Sequence, residues 1–127
     1  MLDPKVKAFA TAPNFAALTT LMPDGQPQTQ MMWVHADDEH VLINTEVHRQ
    51  KYKNVQRDPR VTVLVIDREN PYSYAEVRGR VVDEVHGDEA LADIHALSNK
   101  YLGHDYQTQI QSSRVILKIA PDRQYAR

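Results

Sequence analysis

The chain has 127 residues, no cysteine, 42% hydrophobic residues and a formal net charge of −2. That is enough apolar material for one domain spanning residues 1–127, it leaves no disulfide framework or thiol chemistry, and its slight acidity argues against a general nucleic-acid binder, which carries a basic excess. The N-terminus MLDPKVKAF lacks the apolar stretch of a signal peptide and no run approaches the ~20 apolar residues of a membrane span, so the expected compartment is the cytoplasm and no membrane partner is expected.

Asp3-Pro4 reads as an N-cap followed by proline in the first turn of a short helix that ends near Pro13. Residues 14–22 form a β-type run, and Pro23-Asp24-Gly25-Gln26 is a turn signal leading into a second strand over residues 28–36. Asp37-Asp38-Glu39 turns the chain into a strand at 41–45. A basic connection with a short helix follows, then a strand rich in branched residues at 61–67. Residues 72–86 are long enough for one bent strand, with Ala75, Val77, Gly79 and Val81 toward a core and Tyr74, Glu76, Arg78 and Arg80 toward something polar. Gly87-Asp88 opens the main helix, whose expected buried stripe is Leu91, Ile94, Leu97, Tyr101 and Leu102, with Gly103 as its stop. Residues 114–120 form the last strand. Six strands in consecutive hairpins with one long late helix predict a mainly β protein, a closed or nearly closed antiparallel barrel.

The most informative segment runs from Asn44 to Arg60. Five basic residues, Arg49, Lys51, Lys53, Arg57 and Arg60, fall within 12 positions between two apolar runs. Residues two apart in the middle of a helix diverge by roughly 200°, so Arg49 and Lys51 can clasp one anion only if Arg49 lies in the loop and Lys51 in the first turn. There the helix also presents N–H groups without intrahelical partners. Asn44, Thr45 and His48 suit the loop, Tyr52 and Val55 the apolar contact, and Asp58-Pro59 the stop. Lys53, Arg57 and Arg60 are then the solvent-facing charges. The alternative is a solvated helix face with no ligand.

Other active-site patterns are missing. No GxGxxG, GxxxxGK[ST] or HExxH occurs. The six histidines are scattered without metal-ligand spacing, so no metal is expected. Ser112-Ser113 has no glycine elbow. On the second strand, Gln28, Gln30, Met32 and Val34 project to one side and Thr29, Met31, Trp33 and His35 to the other. Met31-Met32-Trp33, bordered by Gln30 and His35, offers apolar walls and polar edges for a flat polycyclic ligand; the plain alternative is that these groups fill the core.

Taken together, FAALTTLMPDGQPQTQMMWVHADDEHVLINT, HRQKYKNVQRDPRVTVLVID, PYSYAEVRGRV and the helix end NKYLG resemble the split-barrel flavin and deazaflavin proteins related to pyridoxamine 5′-phosphate oxidase. The likeness is greatest to the actinobacterial-type branch that uses coenzyme F420. Its most specific piece is Arg49-x-Lys51-x-x-Asn54 followed by Arg57-Asp58-Pro59-Arg60. The resemblance implies a six-stranded FMN-binding-type split barrel and a homodimer with cofactor sites at the interface. It places the phosphate on Arg49 and Lys51 and the ring against the backbone of Gln30, Met31, Met32 and Trp33, with Asn44, Thr45 and Asn54 completing the cofactor-binding set. Because the sequence ends at Arg127, soon after its last expected strand, the resemblance favours the F420-type branch over vitamin B6 oxidation.

The function so implied is an oxidoreductase that transfers a hydride from reduced F420 to a conjugated or aromatic small molecule, with His35 and Tyr74 as candidate proton donors. The alternatives are an FMN-dependent oxidoreductase of the same fold and a non-enzymatic flavin or F420 carrier. A nucleic-acid module has only Trp33 and scattered tyrosines as stacking platforms.

Overall fold

The computed structural model describes residues 1–127 in the order α1 (Pro4–Thr11), β1 (Phe15–Leu21), β2 (Pro27–Met32), β3 (His35–Ala36), β4 (Val41–Glu46), α2 (Gln50–Arg57), β5 (Arg60–Ile66), β6 (Tyr74–His86), α3 (Asp88–Leu102) and β7 (Arg114–Ala126). All seven strands belong to one antiparallel sheet in the order β2-β1-β5-β6-β7-β4-β3. The two edge strands, β2 and β3, are separated in sequence only by Trp33 and Val34. Laid flat, seven strands at their usual spacing would hold the edges roughly 29 Å apart, whereas the short link spans at most roughly 11 Å. The sheet therefore curls until its edges meet, which makes it a barrel.

The same link accounts for a difference from the sequence reading. The expected strand at 28–36 is two strands, because residues before Trp33 pair with β1 and residues after Val34 pair with β4. Seven strands replace six. The last strand also runs on to Ala126 instead of stopping at Ala120. Pro121 is carried opposite Gly79 where the β6–β7 register shifts, and at such an irregularity a proline costs no ladder bond.

Strand alternation fills the barrel. Ala16, Leu18, Ile43, Val63, Val65, Val77, Leu117 and Ile119 are among 18 buried side chains forming one apolar cluster, to which α1 adds Val6 and Ala10, the segment before it Leu2, and α2 Val55. Asp3 caps α1 as the sequence implies, accepting from the Lys5 amide at 2.8 Å, an interaction worth about 1 kcal/mol.

Helix α3 lies on the outside of the barrel, against β4, β6 and β7. Its buried line is Ala90, Ile94, Leu97 and Ser98. Leu91 and Leu102, expected in the stripe, are exposed instead, at 40% and 57%. A straight helix on a twisted sheet touches it along one narrow ridge, and the small side chains at 90 and 98 let it approach closely. Gly103 ends α3 in the left-handed conformation (φ 82°). No helix is long and apolar enough to cross a membrane.

Candidate functional site

Between α3, the end of β4, the Trp33 crossing and the 103–113 segment lies a cavity of about 450 Å³. Its lining divides in two. Met32, Trp33, Ile94, Leu97 and Leu102 make an apolar end, while Arg49 and Arg114 make a cationic one, with Asn44, Tyr106 and His104 between.

The cationic end is built around Glu46. Its carboxylate, 2% exposed, accepts the Gln111 and Ser112 amides at 2.7 Å each through Oε1. Through Oε2 it accepts Arg49 Nη2 at 3.1 Å and Arg114 Nη2 at 3.4 Å. Burial alone would push this carboxyl up, but the two backbone hydrogen bonds and the charges of Arg114 and Arg49 together hold it below its ordinary value. Glu46 is therefore an anion in place, fixing two guanidinium groups.

Arg49 is the N-cap residue of α2, in extended conformation, and no side chain caps that helix. Lys51 stands in the first turn, as the spacing argument requires. It is 8% exposed. Burial and then the positive charges of Arg49 and Arg114 lower its pKa, and no carboxylate or hydrogen bond offsets them. Two cations, Arg49 and Arg114, thus hold the Glu46 carboxylate, and a third, Lys51, stands close enough to both to feel their charge without sharing that carboxylate. Arg114 donates to Asn44 Oδ1 at 3.3 Å and to the Tyr106 hydroxyl at 2.9 Å, with its guanidinium 4.9 Å from the Tyr106 ring centroid, yet its buried Nε has no partner. A buried donor left unpaired costs about 1–3 kcal/mol. An anion arriving here would meet unspent donors and uncompensated charge.

The sequence-derived set is only partly gathered at the cavity. Met32, Trp33, Asn44 and Arg49 line it, and Lys51 adjoins its cationic end. The Asn44 amide is already engaged, donating to Ala90 O and Asp93 Oδ2 at 2.9 Å each, so it braces β4 against α3. Thr45 points to the opposite face and is buried with its hydroxyl unpartnered. Gln30 and Met31 lie on exposed β2, Met31 at 56%. Asn54 is fully buried outside the cavity, bonded to Thr20, Met22 and Gln28. His35 sits behind Leu97 in a smaller hollow with Asp93 and Lys100, where burial and the Lys100 charge lower its pKa. Tyr74 packs on Tyr125 across the β6–β7 ladder. Neither lines the cavity.

Sequence reasoning missed Glu46, Arg114 and Tyr106 as site residues. Two carried a faint signal, Glu46 as a carboxylate just ahead of the basic cluster and Arg114 as an arginine opening an otherwise apolar strand, while Tyr106 carried none. No three or more His, Asp or Glu side chains are placed to hold a metal ion.

The family model for pyridoxamine 5′-phosphate oxidase matches residues 2–127. The chain belongs to this family. Among solved structures, this pyridoxamine 5′-phosphate oxidase-family chain is similar to an F420 reductase at 32% identity, with 98% of each chain covered and a TM-score of 0.83. A conserved hypothetical protein from Mycobacterium tuberculosis follows the same path at 27% identity, covering 99% of this chain and 84% of that one, with a TM-score of 0.74. The family's fold also recurs in the heme storage protein HutZ from Vibrio cholerae, at 15% identity, 98% and 94% coverage and a TM-score of 0.69. At that distance the likeness concerns the fold alone.

Proposed function

We propose that the protein is an F420-dependent oxidoreductase acting on a conjugated or aromatic small molecule. The observation that carries this reading is the joined cavity: an apolar, aromatic wall at one end and Arg49 and Arg114 at the other, with the buried, partnerless Lys51 close enough to feel both charges. A phosphate-bearing polycyclic cofactor has both complements. The partnerless Lys51 ammonium and the orphaned Arg114 Nε fit its phosphate, and the likeness to an F420 reductase over 98% of both chains supports the deazaflavin over the flavin.

Reduced deazaflavin, when bound, supplies hydride chemistry that no side chain has. The protein's part is to bind, orient and keep water out. Arg49, Lys51 and Arg114 would neutralise the phosphate, with Glu46 fixing the two arginines. Met32, Trp33, Ile94 and Leu97 would hold the ring and lower the local dielectric. The Tyr106 hydroxyl and the His104 imidazole line the cavity, which makes them better-placed proton sources for the reduced substrate than His35 or Tyr74.

The proposal includes a homodimer with its sites at the interface, supported by the exposed Met31 and Leu102 near the cavity and by Tyr125 on the outer face of the sheet. Light scattering should give twice the 14.6 kDa chain mass.

Fluorescence titration with F420 and with FMN tests the cofactor. F420 should bind with a Kd below about 100 μM, a free energy of about −5 kcal/mol. Tight FMN binding with no F420 binding would replace this reading by the FMN-dependent one. Bound reduced F420 that stays reduced before quinones, enones and nitroaromatics would make the protein a carrier.

A further inference from the structure

Trp33 and Val34 carry the chain from one edge of the curled sheet to the other, and neither belongs to a strand. Buried main-chain groups outside a ladder must find partners elsewhere. Val34 is fully buried, and both of its backbone polar groups are taken by consecutive side chains of α3. Its N–H donates to the Tyr101 hydroxyl at 3.1 Å, and its carbonyl accepts from Lys100 Nζ at 2.6 Å. The same ammonium donates to Ala10 O at 3.2 Å, and the Tyr101 hydroxyl donates to Asn14 O. These two side chains thus tie the crossing to α3, to the end of α1 and to the approach to β1.

Trp33 stands next to the tied peptide. Its indole stacks on Tyr101 with ring centroids 5.1 Å apart and planes 6° from parallel, and it meets Tyr106 edge-on at 6.2 Å. The Tyr101 ring also tilts against Phe15 at 5.6 Å. Trp33 lines the cavity, whereas Lys100 and Tyr101 do not. Keeping an ammonium here has a cost: burial lowers Lys100 to about 8, only partly countered by Asp93. An apolar residue would avoid that cost but could not bind two carbonyls.

We propose that Lys100 and Tyr101 are positioning residues that, through the Val34 peptide and the indole stack, set where Trp33 stands and so the width of the cavity's apolar end. The inference rests on the reading above for the identity of the ring that fits there, but not for the geometry.

Trp33 is the only tryptophan in the chain, so its emission maximum and its quenching by acrylamide report the wall directly, with no cofactor present. Tyr101→Phe keeps the ring and removes the hydroxyl; Lys100→Met keeps the stem and removes the charge. Both should shift Trp33 emission to the red and raise acrylamide quenching. Val63→Ala, a core truncation, should lower the urea midpoint without moving either signal. F420 affinity should fall about tenfold in the two α3 variants, the worth of one hydrogen bond, while binding of inorganic pyrophosphate, read by calorimetry, stays unchanged. Trp33 signals that do not move in Tyr101→Phe, or that move equally in Val63→Ala, overturn the proposal. Should Lys100→Met fail to fold, the nearly isosteric Tyr101→Phe decides alone. A wild-type protein that fails to bind F420 removes the cofactor reading and leaves the Trp33 measurement to judge the positioning role.

Discussion

Lys51 and Asn54 lie one turn apart on α2, both buried, and their surroundings could hardly differ more. The Asn54 amide is saturated: Nδ2 donates to Thr20 Oγ1 at 3.0 Å and Gln28 Oε1 at 3.3 Å, while Oδ1 accepts from Gln50 at 2.9 Å and Arg57 at 3.3 Å. The Lys51 ammonium has only like charges for company. A closed network needs nothing further, and its contribution is to join α2 to β1 and β2. An open one keeps its donors for a ligand, at a standing cost in stability. The same helix therefore carries a structural residue and a candidate binding residue, told apart by what surrounds them and not by burial.

The largest effect should come at the residue that holds the open cluster together. Glu46→Ala leaves Arg114 buried without its carboxylate and should cost about 3–5 kcal/mol, read by urea denaturation. Because the Glu46 carboxyl is held below its ordinary value, its stabilisation is complete above the unfolded carboxylate pKa and is lost as pH falls through the folded one. Wild-type stability should thus drop in acid, and Glu46→Gln should flatten that drop.

Next comes Lys51→Met. F420 binding should weaken by about 1.5–3 kcal/mol, the value of a charge-assisted hydrogen bond, while the urea midpoint of the ligand-free protein should not fall. A fall in stability with unchanged affinity would erase the contrast with Asn54.

Asn54→Ala should behave in the opposite sense. It strands the Thr20 and Gln28 partners and should cost roughly 1–3 kcal/mol of stability, with F420 affinity, measured on the folded fraction, nearly unchanged.

Smallest of all is Lys53→Ala, on the exposed side of α2, expected to change either quantity by under about 0.5 kcal/mol. Arg57 would be a poor control despite its exposure, since it donates to the Leu21 carbonyl and to Asn54.

The sequence by itself determined what local chemistry controls. The Asp3 cap, the Asp58-Pro59 stop of α2, the Gly103 stop of α3 and the placing of Arg49 before the helix with Lys51 inside its first turn all depend on neighbours within a few positions, and the structure has them. Strand alternation along β6 was legible for the same reason. What only the tertiary structure decided depends on distant pairing. Arg114 meets Glu46 across 68 positions, and Asn54 meets Thr20 across 34. No short-range pattern distinguishes a strand-opening arginine on the surface from one buried against a carboxylate. The break at Trp33 is equally non-local: residues 28–36 hold no proline or glycine to interrupt a single strand, and only closure of the barrel requires its two ends to pair with different partners. The narrow buried ridge of α3 likewise follows from the twist of the sheet beneath it, which a helical repeat does not encode.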